Sequence, residues 1–288
     1  MSKVSNYRYI DISLIYITYS VNSRQKYQFL TQVNYVSTNH SYYSQKQTHY
    51  TIELFQEMKY KHLFFDLDHT LWDFERNSSE SLDEIFHTLS LQDHGVSSKQ
   101  QFIDTFIKIN THLWDEFDRG RIHHSYIRAN RFLMVFDSLG IPCPENHLEI
   151  GELYLHTLPY KKHLLHGALD MLGYVKERGY RLHIVTNGFT EIQARKIASS
   201  GISHFFENVI TFETANAKKP DPDIFACAVQ QANASKGECI MIGDNWLADI
   251  IGARNFGLDT VYYNPSGLQF DENPTYDIRL LEELKTIL

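Results

Sequence analysis

Two aspartates one residue apart, Asp66 and Asp68, follow the apolar run Leu63-Phe64-Phe65 and precede Thr70. Carboxylates at that spacing can divide labour: one attacks or holds a metal, the other moves a proton. The run, bounded upstream by Lys59 and Lys61, reads as a strand buried in a parallel sheet. Open α/β sheets place their chemistry at the carboxyl ends of such strands. Three further motifs also follow apolar runs: Thr186-Asn187-Gly188, Lys218-Lys219-Pro220-Asp221-Pro222, and Gly243-Asp244 with Asp249 five residues on. Each alone is weak, because Asp and Asn also turn chains and cap helices. Their shared order and their positions after strands point to one functional set.

The elements that must carry this set fall into two styles. Beyond Asp73 the spacing is helical: Ser78 or Ser79 caps a helix with Leu82, Ile85, Phe86 and Leu89 on one side. Phe102, Phe106, Ile109, Leu113 and Phe117 mark a second helix, ended near Gly120. Ser125 opens a third, with Ile127, Phe132, Val135 and Phe136, stopped by Gly140 and Pro142. A weaker helix covers 145–157. After Pro159, strands at 181–185, 208–212, 238–242 and 259–263 alternate with helices at 167–178, 191–200, 222–232, 247–256 and 279–287. Alternation of this kind implies right-handed crossovers and a parallel sheet. The expected fold class is α/β: a Rossmann-like parallel-sheet core from 58–74 and 161–288, with a helical cap, 75–160, inserted after the first strand.

The chain has 288 residues, 43% hydrophobic and 22% charged, which suits a globular protein. Its formal charge of -8 speaks against binding a nucleic-acid polymer but not against a small phosphorylated substrate. Cys143, Cys227 and Cys239 form no CxxC pair and suit a reducing, cytoplasmic setting. No apolar stretch approaches membrane-spanning length. Residues 1–57 contain no Gly, Pro or Ala, yet half of the 18 tyrosines. Asp11 within their one apolar patch, 10–21, and the lack of a small-residue cleavage site speak against a secretory signal. Residues 12–19 could add a strand. The expectation for 1–57 is an extension upstream of a natural start at Met58, or a poorly ordered tail.

The four motifs together resemble the haloacid dehalogenase (HAD) superfamily, in its subgroup with a helical cap after the first motif. The phrases Asp66-Leu67-Asp68-His69-Thr70-Leu71-Trp72-Asp73, Ile184-Val185-Thr186-Asn187-Gly188-Phe189-Thr190 and Lys219-Pro220-Asp221-Pro222 are similar to its pyrimidine 5′-nucleotidase branch. The resemblance covers residues 60–288. It implies a Mg²⁺-dependent phosphatase in which Asp66 attacks phosphorus and Asp68 acts as general acid and then general base. Thr186, Asn187, Gly188 and Lys219 would bind phosphate. Asp66, Asp244 and the backbone carbonyl of Asp68 would hold the metal, and Asp249 would join them through water or by holding Lys219. Lys218 is expected to be a solvated neighbour.

Dehalogenases of the superfamily lack the second acid, so Asp68 favours phosphate esters, and a nucleoside monophosphate is the expected substrate. A sugar-phosphate phosphatase or a phosphomutase shares these residues and remains an alternative. The intact acidic set speaks against a non-catalytic binding protein. In the cap, Trp114, Phe117, His123, His124, Tyr126, Arg128 and Arg131 are candidates for substrate contact. The plainer expectation is aromatic packing, with the arginines facing solvent. Trp246 is expected against the loop of the first motif, and His69 has no catalytic role.

Overall fold

The computed structural model describes residues 17–19, 29–31, 50–51, 58–143, 145 and 147–288. Strands β1 (Ile17–Tyr19), β2 (Phe29–Thr31) and β3 (Tyr50–Thr51) form a small antiparallel sheet of their own, in the order β1-β2-β3. The remainder of the 1–57 extension lies outside the described residues.

From Met58 onward the frame is a six-stranded, wholly parallel sheet. Its strands are β4 (His62–Phe65), β5 (Arg181–Thr186), β6 (Phe206–Thr211), β7 (Cys239–Gly243), β8 (Asp259–Tyr263) and β9 (Tyr276–Ile278), in the order β6-β5-β4-β7-β8-β9. β4 is central, and Phe65 pairs with Ile184 on one side and Ile242 on the other. Alternate residues serve opposite faces. Leu63 and Phe65 join the core with Ile184, Ile240 and Ile242, whereas Phe64 packs with Val185, Met241 and Phe225 on the other face. Burial on both faces is why these strands read as unbroken apolar runs.

After β4 the chain runs through four helices in succession: α1 (Phe74–Thr88), α2 (Lys99–Asp118), α3 (His124–Ser138) and α4 (His147–Thr157). α1 starts earlier than Ser78 because Asp73 caps it, accepting from the Arg76 N–H at 3.1 Å. Ser78 instead faces inward, its hydroxyl 2.8 Å from that of Tyr154. α3 begins at His124 rather than at Ser125, without a side-chain cap. Phe102, Phe106, Phe132, Phe136 and Tyr154 fill the space between these helices.

The chain leaves the sheet for this block and returns beside itself. Leu165 N–H donates to Leu71 O at 2.9 Å, and the Asn77 amide bonds both N–H and C=O of His163, at 3.0 and 2.8 Å. The sheet's crossovers use α5 (Ala168–Glu177), α6 (Thr190–Ser199), α7 (Phe212–Ala215), α8 (Pro222–Gln231) and α9 (Gly252–Phe256). The single helix expected over 247–256 is a π-helical turn, Trp246–Ile251, running into α9. The helix expected from 279 splits into a 3₁₀ turn and α10 (Leu284–Ile287), and β9 before it is an unexpected sixth strand.

Candidate active site

The carboxyl ends of β4, β5 and β7 converge on one cavity of about 450 Å³, with α2, α3 and α4 contributing the opposite wall. Asp66 follows β4, and its N–H donates to Ile242 O at 2.9 Å, which pins the first motif to β7. Leu67 is fully buried between the two acids. Leu71 and Trp72 both donate backbone N–H groups to Leu67 O, so the chain closes into a tight loop. His69 turns that loop with φ 62° and lines the cavity. Thr70 donates its hydroxyl to Asp244 Oδ1 at 2.9 Å.

Lys219 is the hub. It is 2% exposed, and its ammonium donates to Asp66 Oδ1 at 2.5 Å, to Asp249 Oδ1 at 2.6 Å and to Val185 O at 2.8 Å. Asp249 therefore holds Lys219 directly, one of the two roles anticipated for it. Asp249 also accepts the Asn245 N–H at 3.0 Å and lies against Gly243, where a Cβ would meet its carboxylate at 2.2 Å. A side chain at 243 would displace the acid that seats the lysine. Burial opposes the charge on Lys219, but Asp249 and Asp66 outweigh it and raise its pKa.

The acids are shifted as well. Burial pushes Asp66 up to about 7 against the pull of Lys219, and pushes Asp244 and Asp249 up to about 6. Carboxylate oxygens of Asp66, Asp244 and Asp249 lie within 4.8 Å of one another. Three acids around a single ammonium leave negative charge that burial makes costly. A hard divalent cation with oxygen preference fits this donor set and would relieve that cost.

At the end of β5, the Thr186 hydroxyl accepts from Gly188 N–H at 3.1 Å and from Gln193 Nε2 at 2.8 Å. Gln193 packs so closely that a Cβ at Gly188 would meet it at 2.5 Å. The Asn187 side chain grips the Lys219 backbone both ways: its Oδ1 accepts the N–H at 2.7 Å and its Nδ2 donates to the C=O at 2.9 Å. All eight residues singled out in the core motifs line this cavity.

Several partners carried no motif. Lys196 of α6, 3% exposed, donates to both oxygens of Asp68 at 2.7 and 2.8 Å, and Gln193 adds a third bond at 2.9 Å. The Lys196 ammonium also lies 4.5 Å from the Trp72 ring. The only local sign of the pair is the three-residue spacing of Gln193 and Lys196, which puts both on one helix face. Asp118, the last residue of α2, accepts from Asn187 Nδ2 at 2.9 Å and from Asn245 Nδ2 at 2.8 Å.

Other expectations are corrected. Lys218 is not simply solvated: it is half-buried and donates to the carbonyls of Phe117 and Asp118, which end α2. Trp246 stacks on Phe270 with centroids 4.0 Å apart rather than serving the first motif's loop. Arg128 faces solvent in a bidentate pair with Glu152, as expected, but Arg131 is buried. Trp114 and His124 line the cavity, whereas His123 and Tyr126 do not.

The chain matches the family described as haloacid dehalogenase-like hydrolase over residues 60–257. It is 34% identical over 230 residues to the pyrimidine 5′-nucleotidase PynA of Streptococcus pneumoniae, covering 79% of this chain and 94% of that protein. It is 26% identical to the pyrimidine 5′-nucleotidase YjjG of Escherichia coli, over 80% of this chain and 99% of that one. The crystal structure of the HAD-hydrolase YfnB from Bacillus subtilis, bound to magnesium, superposes with a TM-score of 0.70 at 28% identity, covering 80% of this chain and 99% of that one. A match across residues 60–257, and relatives aligned over almost their whole length, make this chain a member of the haloacid dehalogenase-like hydrolase family.

Proposed function

We propose that the protein is a Mg²⁺-dependent phosphomonoesterase that works through an aspartyl-phosphate, with nucleoside monophosphates as substrates and residues 75–160 as the cap over its core. The observation that carries this reading is the joining, in one cavity, of a buried Asp66 held by Lys219 with a second acid, Asp68. Asp66 attacks phosphorus as the ester P–O bond breaks, and the departing alkoxide takes a proton from Asp68. Asp68 then removes a proton from water, which attacks the same phosphorus; the bond to Asp66 breaks and phosphate leaves. Lys219 places positive charge beside the nucleophile, and the Thr186 hydroxyl and the Asn187 N–H offer donors to the phosphoryl oxygens, joined by the Gly188 N–H when it turns from Thr186 to the substrate. Lys196 and Gln193 hold the Asp68 carboxylate. Asp66, Asp244 and the Asp68 carbonyl would hold Mg²⁺, which supplies charge neutralisation for attack on an anion.

The nucleotide preference draws on the pyrimidine 5′-nucleotidases to which the chain is similar. No helix among the described residues is long and apolar enough to cross a membrane. Phosphate release from p-nitrophenyl phosphate and UMP with Mg²⁺, and its loss by ~10⁴-fold or more in Asp66→Asn, tests the mechanism. Full activity in that variant would overturn it. Interconversion of hexose phosphates, with little free phosphate, would replace it by a mutase.

A further inference from the structure

The helical wall of the cavity holds a charge that the phosphoryl chemistry does not use. Arg131 of α3 is 5% exposed, and its Nη1 donates to Asn110 Oδ1 of α2 at 3.0 Å. Its Nε has no hydrogen-bond partner. Burial opposes its charge and lowers its pKa, and no carboxylate counters that. Its compensation comes from ring faces: the guanidinium carbon lies 4.7 Å from the Tyr154 centroid, 5.2 Å from Phe106 and 5.7 Å from Phe132. A buried cation without a counter-charge is expensive for a fold to keep.

Arg131 and Asn110 line the same cavity as Asp66, Asp68 and Lys219. Asn110 has committed its carbonyl oxygen to Arg131, so what it can offer a ligand is its N–H donors. Arg131 and Asn110 therefore present donors and a positive charge side by side on this wall. Trp114, Ile127 and Phe189 line the cavity as well and provide apolar faces for a flat ring.

We propose that Arg131 and Asn110 form a specificity subsite that recognises a ring carbonyl of the substrate's base; the assignment rests on the nucleotidase reading above. Uracil, thymine and cytosine all carry a carbonyl at C2, an acceptor that the Arg131 and Asn110 donors can bind. Adenine has no carbonyl, and guanine has one at C6 but places an amino donor at its C2. Arg131 thus selects among substrates and takes no part in bond breaking.

The test compares wild type with Arg131→Met, Arg131→Lys and Asn110→Ala on UMP, AMP, ribose 5-phosphate, fructose 1,6-bisphosphate and p-nitrophenyl phosphate. Uridine is also measured as a competitive inhibitor of p-nitrophenyl phosphate turnover. Arg131→Met is expected to lower the ratio of kcat/KM for UMP to that for p-nitrophenyl phosphate by ~10–100-fold, mainly through KM. Uridine inhibition weakens by a similar factor, and Arg131→Lys restores part of both. Equal losses on every substrate would make Arg131 a packing residue and overturn the proposal. A loss specific to the bisphosphate would do the same in favour of a second anion. A wild type indifferent between UMP and ribose 5-phosphate would remove the nucleotidase reading itself. A wild type that prefers UMP, with the preference intact in the variants, would remove only the subsite. Should the Arg131 variants not fold, Asn110→Ala decides by the same ratio.

Discussion

Asp118 is where the helical block grips the loops of the second and fourth motifs, and on the proposed mechanism its removal should be felt in turnover. Its two oxygens accept from Asn187 of the second motif at 2.9 Å and from Asn245 of the fourth at 2.8 Å. Asn187 in turn fixes the Lys219 backbone, and Lys219 fixes Asp66. Asp118→Ala leaves two amide N–H groups without their acceptor. At ~1–3 kcal/mol for each orphaned donor, the gross loss is ~2–6 kcal/mol. Burial raises the pKa of Asp118, so deleting the carboxylate also relieves a desolvation cost. A net loss of ~2–4 kcal/mol follows, divided between stability and the transition state.

Urea unfolding followed by circular dichroism should register ~1–2 kcal/mol of this. The remainder should appear as a ~10–30-fold fall in kcat on p-nitrophenyl phosphate, with a smaller change in KM. Asp118→Asn, which keeps one acceptor but turns an NH₂ toward another NH₂, should fall between. The double variant with Asn245→Ala should be non-additive, because both single changes break the same bond. Turnover within twofold of wild type in Asp118→Ala, or strict additivity in the double variant, would refute the coupling and leave Asp118 a helix-end packing residue.

Other consequences can be checked separately. Mg²⁺ at about a hundred times its Kd should stabilise the fold by ~2.7 kcal/mol, read as a rise in Tm that is absent in Asp244→Asn; an unchanged wild-type Tm would argue against a metal at the acidic cluster. Lys219→Met strands Asp66 and Asp249 without their cation, so the variant should lose ~3–5 kcal/mol near pH 8. Burial already pushes both acids up, and removing the lowering pull of Lys219 raises them further, so in the variant they take up protons as pH falls from 8 and the deficit should shrink; a pH-independent deficit would contradict the charge argument. His183, stacked on His62 inside the sheet, has its pKa lowered by burial to about 4. The unfolded chain gains a proton near 6.5 that the native state refuses until about 4, so the stability His183 contributes is complete above 6.5 and lost as pH falls to 4. That loss is ~2–3 kcal/mol, visible as a steeper acid limb in wild type than in His183→Gln.

The inner strands were legible because their apolar runs are buried on both faces, and Leu63-Phe64-Phe65 is the clearest case. β9 was not, since it is a three-residue edge strand with an exposed Asp277 and only Ile278 fully buried. Helix interiors followed from the 3–4 spacing of large apolar residues. Helix starts depended on which of several competing cap residues the surrounding packing selected, and at α1 that was Asp73 rather than Ser78.

The same division separates the parts of the site. Asp66, Asp68, Thr186, Lys219 and Asp244 were readable because each motif is a continuous stretch whose backbone turns off the end of a strand. Local residue types therefore determined the reacting groups and the parallel α/β frame. Which groups face them was a matter of tertiary packing. Lys196 reaches Asp68 from 128 residues away, Asp118 reaches Asn187 from 69, and the burial of Arg131 against three rings depends on how α2, α3 and α4 pack. A lysine, an aspartate and an arginine on amphipathic helices look the same in sequence whether they face water or a cavity. Only the packing of the helices sets the dielectric around each charge, and with it whether that charge is solvated, paired, or left for a ligand.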